Sequence, residues 1–254
     1  MGGADRNERR RRQEAAQARL KAAGIKPERK GLSGNTLVLA IVAVVVIAAI
    51  VVGVVVTLNN RSTEAAGPAP NYPVARSGAV ITAGQPSAPV TVDIYEDYLC
   101  PYCERLESAY KDQITTALNA GQIKVDYHAI SILDRASSPA GYSTRAANAA
   151  ICAADAGIFP AYHAELYADQ PSEGSAGFSV QELTDKGTAL GAGGTFGQCV
   201  AAQANSGLIQ DATNTAAANP ALQTNGNFGT PTVAIGGRKI DVNDSDWLQK
   251  AIAG

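Results

Sequence analysis

Three textures of hydrophobic and polar residues succeed one another along the chain. Residues 37–58 are an unbroken run of 22 uncharged positions dominated by Val, Ile, Ala and Leu. Such a run predicts a helix that is apolar on every side. At about 1.5 Å per residue it is about 33 Å long, enough for a hydrocarbon layer of about 30 Å. Residues 59–75 then lose all apolar periodicity and carry Gly67, Pro68, Pro70 and Pro73, the composition of a solvated tether. Beyond the tether, apolar residues return at the spacings of packed elements.

Residues 79–82, 90–95 and 123–130 are rich in β-branched and aromatic side chains and predict strands. Between the last two, residues 104–119 place Leu106, Tyr110, Ile114, Ala117 and Leu118 at helical spacing, giving a β-α-β unit with a right-handed crossover. From about 138 to 219 no strand pattern occurs. Residues 142–156, 159–168, 180–190, 196–204 and 207–218 read as helices, divided by breakers such as Pro171, Gly174, Gly177, Gly191, Gly193 and Gly194. Strand character resumes at 232–235, and Gly236-Gly237 before 238–240 predicts a tight hairpin. A closing helix is expected over 245–253, capped by Ser245 or Asp244, with Trp247, Leu248 and Ile252 on its apolar side.

Charge sharpens the division. Residues 1–36 hold ten Lys or Arg against four acidic residues, a net of +6 in a chain of net -2, which leaves about -8 for the remainder. Basic residues on one side only of the apolar run keep the N-terminus in the cytoplasm by the positive-inside rule and send everything after residue 58 outside. The run exceeds the roughly 7 to 15 apolar residues of a cleavable signal, and no small-residue cleavage site follows it, so it reads as an uncleaved anchor. The expected organisation is a basic cytoplasmic segment (1–36), a transmembrane anchor (37–58), a Pro/Gly-containing linker (59–77) and an outer domain (78–254) long enough for one sizeable core. An acidic outer domain argues against nucleic acid. His128 and His163 are too few for a His-rich metal site and read as packing residues.

The candidate chemistry is Cys100-Pro101-Tyr102-Cys103, which falls where the second predicted strand gives way to the helix. A Cys at a helix start faces unpaired backbone N–H groups and the positive end of the helix dipole, and both favour thiolate over thiol. Two thiols at this spacing have the geometry of a redox pair, with Cys100 the attacking, more exposed sulfur and Cys103 its partner one turn further in. Pro101 suits the first turn because its missing N–H would have had no intrahelical partner. With Tyr102 it is expected to tune access and thiolate energy.

A Cys-X-X-Cys after a strand, followed much later by Gly229-Thr230-Pro231-Thr232 before a hairpin and a final helix, resembles the thioredoxin fold. The helical block between the two halves is similar to the DsbA-like branch. With anchor and tether, the chain resembles the membrane-tethered DsbA-like oxidoreductases of actinobacteria over about residues 78–254. The resemblance implies an α/β thioredoxin-like fold with a helical insertion at about 138–219, preceded by a single N-terminal transmembrane helix. It also implies a cis Thr230–Pro231 peptide whose loop packs beside the active sulfur and binds extended substrate. Four Cys allow three pairings, and if Cys100 pairs with Cys103, a structural Cys152–Cys199 bridge remains. Tyr102 stands where DsbA proteins commonly place His. Ile94 stands where many relatives carry a buried acid, with Asp93, Glu96 and Asp97 as its acidic neighbours.

The implied activity is disulfide donation outside the cytoplasm. A substrate thiolate attacks Cys100, forms a mixed disulfide, and is released by a second substrate thiol. The implied substrates are reduced exported proteins. No organic cofactor or metal is called for, a VKOR-like or DsbB-like membrane protein would reoxidise the pair, and the catalytic domain would act as a monomer. A reductase or isomerase would use the same chemistry in another direction, and a tethered binding module with inert disulfides is the alternative from a different class. Without the His contribution, the couple is expected to be a milder oxidant than a His-containing motif.

Overall fold

The computed structural model describes residues 69–254. The basic segment, the apolar run 37–58 and most of the expected linker lie outside the described residues. Among the described residues, no helix is long and apolar enough to cross a membrane.

Strands β1 (Val74–Ser77), β2 (Val80–Ala83), β3 (Val90–Glu96), β4 (Ile123–Ala129), β5 (Thr232–Ile235) and β6 (Arg238–Lys239) form one sheet in the order β1-β2-β4-β3-β5-β6. β3 and β4 pair in parallel from Val90 with Ile123 to Glu96 with Ala129, and α1 (Pro101–Asn119) is the crossover between them. The remaining pairings are antiparallel. Residues 74–77, read from sequence as the end of the linker, are instead the edge strand β1. Its side chains are exposed or half-buried, so backbone pairing rather than apolar burial holds it, and no period-two signal marks it.

Period two governs the central strands. Val92, Ile94 and Glu96 of β3 point inward, and Ile123, Val125, Tyr127 and Ala129 of β4 do the same. α1 adds Cys103, Leu106, Ile114, Ala117 and Leu118 to that core. The β5–β6 turn is the predicted hairpin, with Gly236 at φ 58° and Gly237 at φ 74°, a pair of left-handed positions that a two-residue turn of this kind demands.

Between β4 and β5 lie α2 (Tyr142–Asp155), α3 (Phe159–Ala168), α4 (Val180–Ala189), α5 (Phe196–Ala202) and α6 (Ser206–Ala218), within two residues of the sequence expectation at each end. α2 is buried along most of its length, and Ala146, Ala147, Ala149, Ala150 and Ala153 keep it slim enough for its neighbours to pack around it. Asn148 within it is fully engaged: its amide reaches the carbonyls of Cys199 and Val200 while its oxygen accepts from Asn205. Cys152 of α2 and Cys199 of α5 are joined in a disulfide. α7 (Trp247–Ala253) starts later than expected: Asp246 is its N-terminal flank, and the Asp244 carboxylate accepts from the Asp246 N–H in the preceding turn.

The Cys152–Cys199 bridge spans a sequence separation of 47, for which chain entropy gives about 4 kcal/mol as an upper-end value. Replacing both residues by Ser is expected to lower the unfolding free energy by about 2 to 4 kcal/mol, read as a fall in the urea midpoint. An unchanged midpoint would contradict a clamping role.

Candidate active site

The site is built at the end of β3, where the strand gives way to Asp97-Tyr98-Leu99 and then to α1. Cys100 is the flanking residue of the helix, with extended backbone, and Pro101 is its first helical residue. The buried Asp97 carboxylate fixes this loop by accepting the N–H groups of Leu99 at 2.9 Å and Leu133 at 2.8 Å. From the helical block, the Gln170 amide donates to the carbonyls of Tyr98 and Cys100, both at 3.1 Å. The loop carrying the first thiol is thus tied to two distant parts of the chain.

Cys100 and Cys103 are free thiols, 4% and 1% exposed, so the expected order of exposure holds by a small margin. In its protonated form the Cys100 thiol donates to the Thr230 carbonyl at 3.3 Å, and Thr230–Pro231 is cis. The two sulfurs differ sharply in acidity. Cys100 is drawn down to about 6, chiefly by a hydrogen bond from the Cys103 thiol; burial opposes this, while the Thr230 side chain and the N–H groups of Cys103 and Tyr102 add to it. Burial, and then the same hydrogen bond seen from its donor, push Cys103 well above the ordinary thiol range. At neutral pH one sulfur is a thiolate and the other a thiol, the division that reversible exchange at a single nucleophile requires.

Tyr102 lies on the surface with 61% of its area exposed, and the Arg105 guanidinium stands 5.0 Å from its ring centre. Together with Leu106, Tyr110, Thr230 and Pro231 they line a groove of about 570 Å³ beside the motif. Cys152 and Cys199, bonded to each other in the helical block, form no part of it. Among the described residues no cluster of three His, Cys, Asp or Glu side chains could hold a metal ion.

Two buried acidic residues, Glu96 and Asp97, stand just before the motif. Ile94 is a core residue at 2% exposure, and two positions further on Glu96 occupies the same inward face of β3. Burial raises Glu96 to about 7, opposed by His163 and the Tyr167 hydroxyl and assisted by Glu107 and Asp97. Burial likewise raises Asp97 to about 6, opposed by the Ser143 hydroxyl and by the N–H groups of Leu133 and Leu99 that donate to its carboxylate. His163, read from sequence as a packing residue, is buried but not inert: its Nδ1 lies 3.0 Å from the Tyr98 hydroxyl and 3.3 Å from Glu96 Oε1, and its Nε2 is 3.5 Å from Glu107 Oε2. Burial alone would lower it, but Glu96 and Glu107 outweigh that and hold it at about 9. Both residues carried a sequence signal: Glu96 continues the inward alternation of β3, and His163 shares the helical face of Phe159, Tyr162, Leu166 and Tyr167. His128 is half-buried and stacked on Tyr95, and it too has a carboxylate partner, its Nε2 lying 2.9 Å from Asp93 Oδ1.

Alkylation of the reduced protein is expected to titrate with a midpoint at about pH 6, reporting Cys100. In Cys103→Ala, which removes the main donor to that sulfur, the midpoint should rise by about one unit or more, about 1.4 kcal/mol per unit. A midpoint that stays in place would show that the helix start alone sets the thiolate.

The thioredoxin family profile matches residues 76–253, from β1 into α7. The serine/threonine-protein kinase PknE of Mycobacterium tuberculosis is 32% identical over 179 residues, which are 68% of this chain and 31% of the kinase, so the chain spans about a third of the length of the curated relatives it matches. MdbA, a thiol-disulfide oxidoreductase from Corynebacterium matruchotii, shares the fold with a TM-score of 0.61 at 23% identity, covering 72% of this chain and 93% of that one. Reduced DsbA from Mycobacterium tuberculosis gives a TM-score of 0.52 at 28% identity, covering 67% of this chain and 92% of that one. A match that runs from the first strand into the last helix, over a fold shared with DsbA, means that this chain belongs to the thioredoxin family and, within it, to the DsbA-like proteins.

Proposed function

We propose that the chain is a thiol-disulfide oxidoreductase, held on the outer side of a membrane by residues 37–58, that passes the Cys100–Cys103 disulfide to reduced exported proteins. The observation that carries this reading is the unequal pair of thiols: Cys100 drawn down to about 6 at a helix start, Cys103 driven up behind it. A sulfur that is comfortable as a thiolate is a good leaving group, so a mixed disulfide at Cys100 is readily displaced by a second substrate thiol.

The steps follow from the geometry. A substrate thiolate bonds to Cys100, the Cys100–Cys103 bond breaks, and its electron pair leaves on Cys103. The second substrate thiolate then attacks the substrate sulfur of the mixed disulfide, and Cys100 departs as a thiolate. Two electrons have moved from substrate to the Cys pair. The groove between Tyr102 and Thr230–Pro231 would hold the substrate chain beside the reacting sulfur. A VKOR-like or DsbB-like membrane protein would restore the disulfide. Residues 1–36, with their net +6 on one side of the apolar run, support the outward orientation. MdbA, similar in fold, is itself a thiol-disulfide oxidoreductase.

One observation favours a second reading, reduction or isomerisation. Cys100 at about 6 lies closer to the roughly 7 of thioredoxin than to the roughly 3.5 of DsbA. Client oxidation separates the two. The oxidised protein, mixed with a reduced peptide bearing two Cys, is expected to form one peptide disulfide per chain, and Cys100→Ser to form none. Given the same peptide in its disulfide form, Cys103→Ser should accumulate a mixed disulfide through Cys100, the second peptide sulfur leaving as a thiolate. A wild-type protein that leaves the peptide reduced would overturn disulfide donation.

A further inference from the structure

The groove beside Cys100 does not end at the Thr230–Pro231 loop. Pro231, Val242 and Asn243 also form one wall of a second concavity, of about 740 Å³ against about 570 Å³ for the first. Its other walls include Thr224, in the segment after α6, and Arg238 and Lys239 of β6 with Asp241 just beyond. Strand register explains why the two adjoin. Arg238 pairs with Ile235, Lys239 with Ala234, and the Ile240 N–H donates to the Val233 carbonyl at 2.9 Å, so the chain after Arg238 runs back along β5 towards Pro231. Val242, back at that loop, is separated from Arg238 by about 13 Å at about 3.3 Å per residue. That is the reach of about four residues of an extended client.

The lining is positive, against the sign of its surroundings. The region beyond residue 36 carries a net charge of about -8, and several of its cations are already engaged: Arg76 by Asp155, Lys186 by Glu165 and Asp169, and Lys250 by Asp244. Arg105, Arg238 and Lys239 are the cations that line the two concavities, and among the described residues none of them has a carboxylate within ion-pair distance. Lys239 donates to the Thr224 hydroxyl at 2.9 Å, which fixes it in the wall and leaves its other N–H groups available. The Arg105 guanidinium stands over the Tyr102 ring, a seat that leaves its N–H edge open to a carboxylate. Asp241, the one carboxylate in the lining, accepts from the N–H and the side-chain amide of Asn243 at 3.0 and 2.9 Å, and so is taken up by its own turn.

We propose that the second concavity is a subsite of the same client groove, and that Arg105 on its α1 side and Arg238 and Lys239 on its β6 side select client segments with acidic side chains flanking the reacting Cys. The proposal rests on the oxidoreductase reading and names its substrate class. The exchange at sulfur is the same for every client. The three cations act before it, by drawing an acidic segment to the groove and holding it in one orientation across the Thr230–Pro231 loop.

The test is a comparison of reduced peptides of one design, each bearing two Cys and carrying Glu, Gln or Lys on both flanks of the pair. Each is mixed with the oxidised full chain, and its second-order rate of oxidation is divided by its rate with hydroxyethyl disulfide, which cancels the effect of flanking charge on the peptide thiols. The Glu peptide is expected to exceed the Gln peptide by about tenfold, with the Lys peptide below both. Salt at about 0.5 M should reduce that preference to about threefold or less. Arg238→Gln combined with Lys239→Gln should remove most of the preference and Arg105→Gln a part of it. Lys124→Gln, the same loss of charge at the opposite end of β4 from the site, should remove none. Equal normalised rates for the Glu and Gln peptides would overturn the proposal, and a preference that survives the loss of Arg238 and Lys239 would overturn the second subsite. If no peptide is oxidised, the oxidoreductase reading itself fails; if all are oxidised without regard to charge, only the acid preference fails.

Discussion

A thiolate can be held at the start of α1 only if donors reach it while bulk charge does not, and the hydrogen bond from the Cys103 thiol to the Cys100 sulfur is the main such donor. The other contacts at the site hold the loop that carries Cys100. The Tyr95–Thr232 register between β3 and β5 brings residue 230 beside the loop that follows β3, so that Thr230 meets Cys100 across 130 residues of sequence. Asp97 secures the loop from the segment after β4, and Gln170 secures it from the helical block. The insertion between the two halves of the sheet is therefore part of the site's framework, and the Cys152–Cys199 bridge fixes that insertion internally.

The electrostatics beneath the thiols run in a consistent direction. Glu96 and Asp97 are raised above their unfolded values, so their protonated forms favour the native state. Their contribution is whole below about pH 4 and fades as pH rises through the range of about 6 to 7. His163 is raised too, and its contribution fades only as pH passes about 9. Cys100 is lowered, so the thiolate favours the native reduced state at any pH above about 6. Stabilising the reduced form in this way is what makes the disulfide an oxidant.

Much of this was legible in the residues. Alternation gave β3 and β4, helical spacing gave α1 to within three residues and α2 to α6 to within two at each end, and Gly236-Gly237 gave the hairpin with its left-handed turn. Cys100, Cys103 and the cis Thr230–Pro231 loop meet as their motifs implied. What escaped had a physical reason in each case. β1 buries too little to show a period. The start of α7 depends on an Asp244 turn that competes with the cap. Among the acidic neighbours of Ile94, the alternation that makes Ile94 a core residue turns Glu96 inward as well. Gln170 acts through contacts 70 and 72 residues away in sequence, and His163 through one 65 away that its place on the buried face of α3 does not specify.

The central claim is that the inequality of two adjacent sulfurs, created by burial and one hydrogen bond, makes their disulfide transferable. The reduction potential of the Cys100–Cys103 couple, measured by equilibration with glutathione, tests it most directly. One pKa unit corresponds to about 30 mV, and thioredoxin and DsbA stand at about -270 and -120 mV. With Cys100 at about 6, the account predicts a value between these two, nearer the first. A potential at or below that of thioredoxin would contradict it.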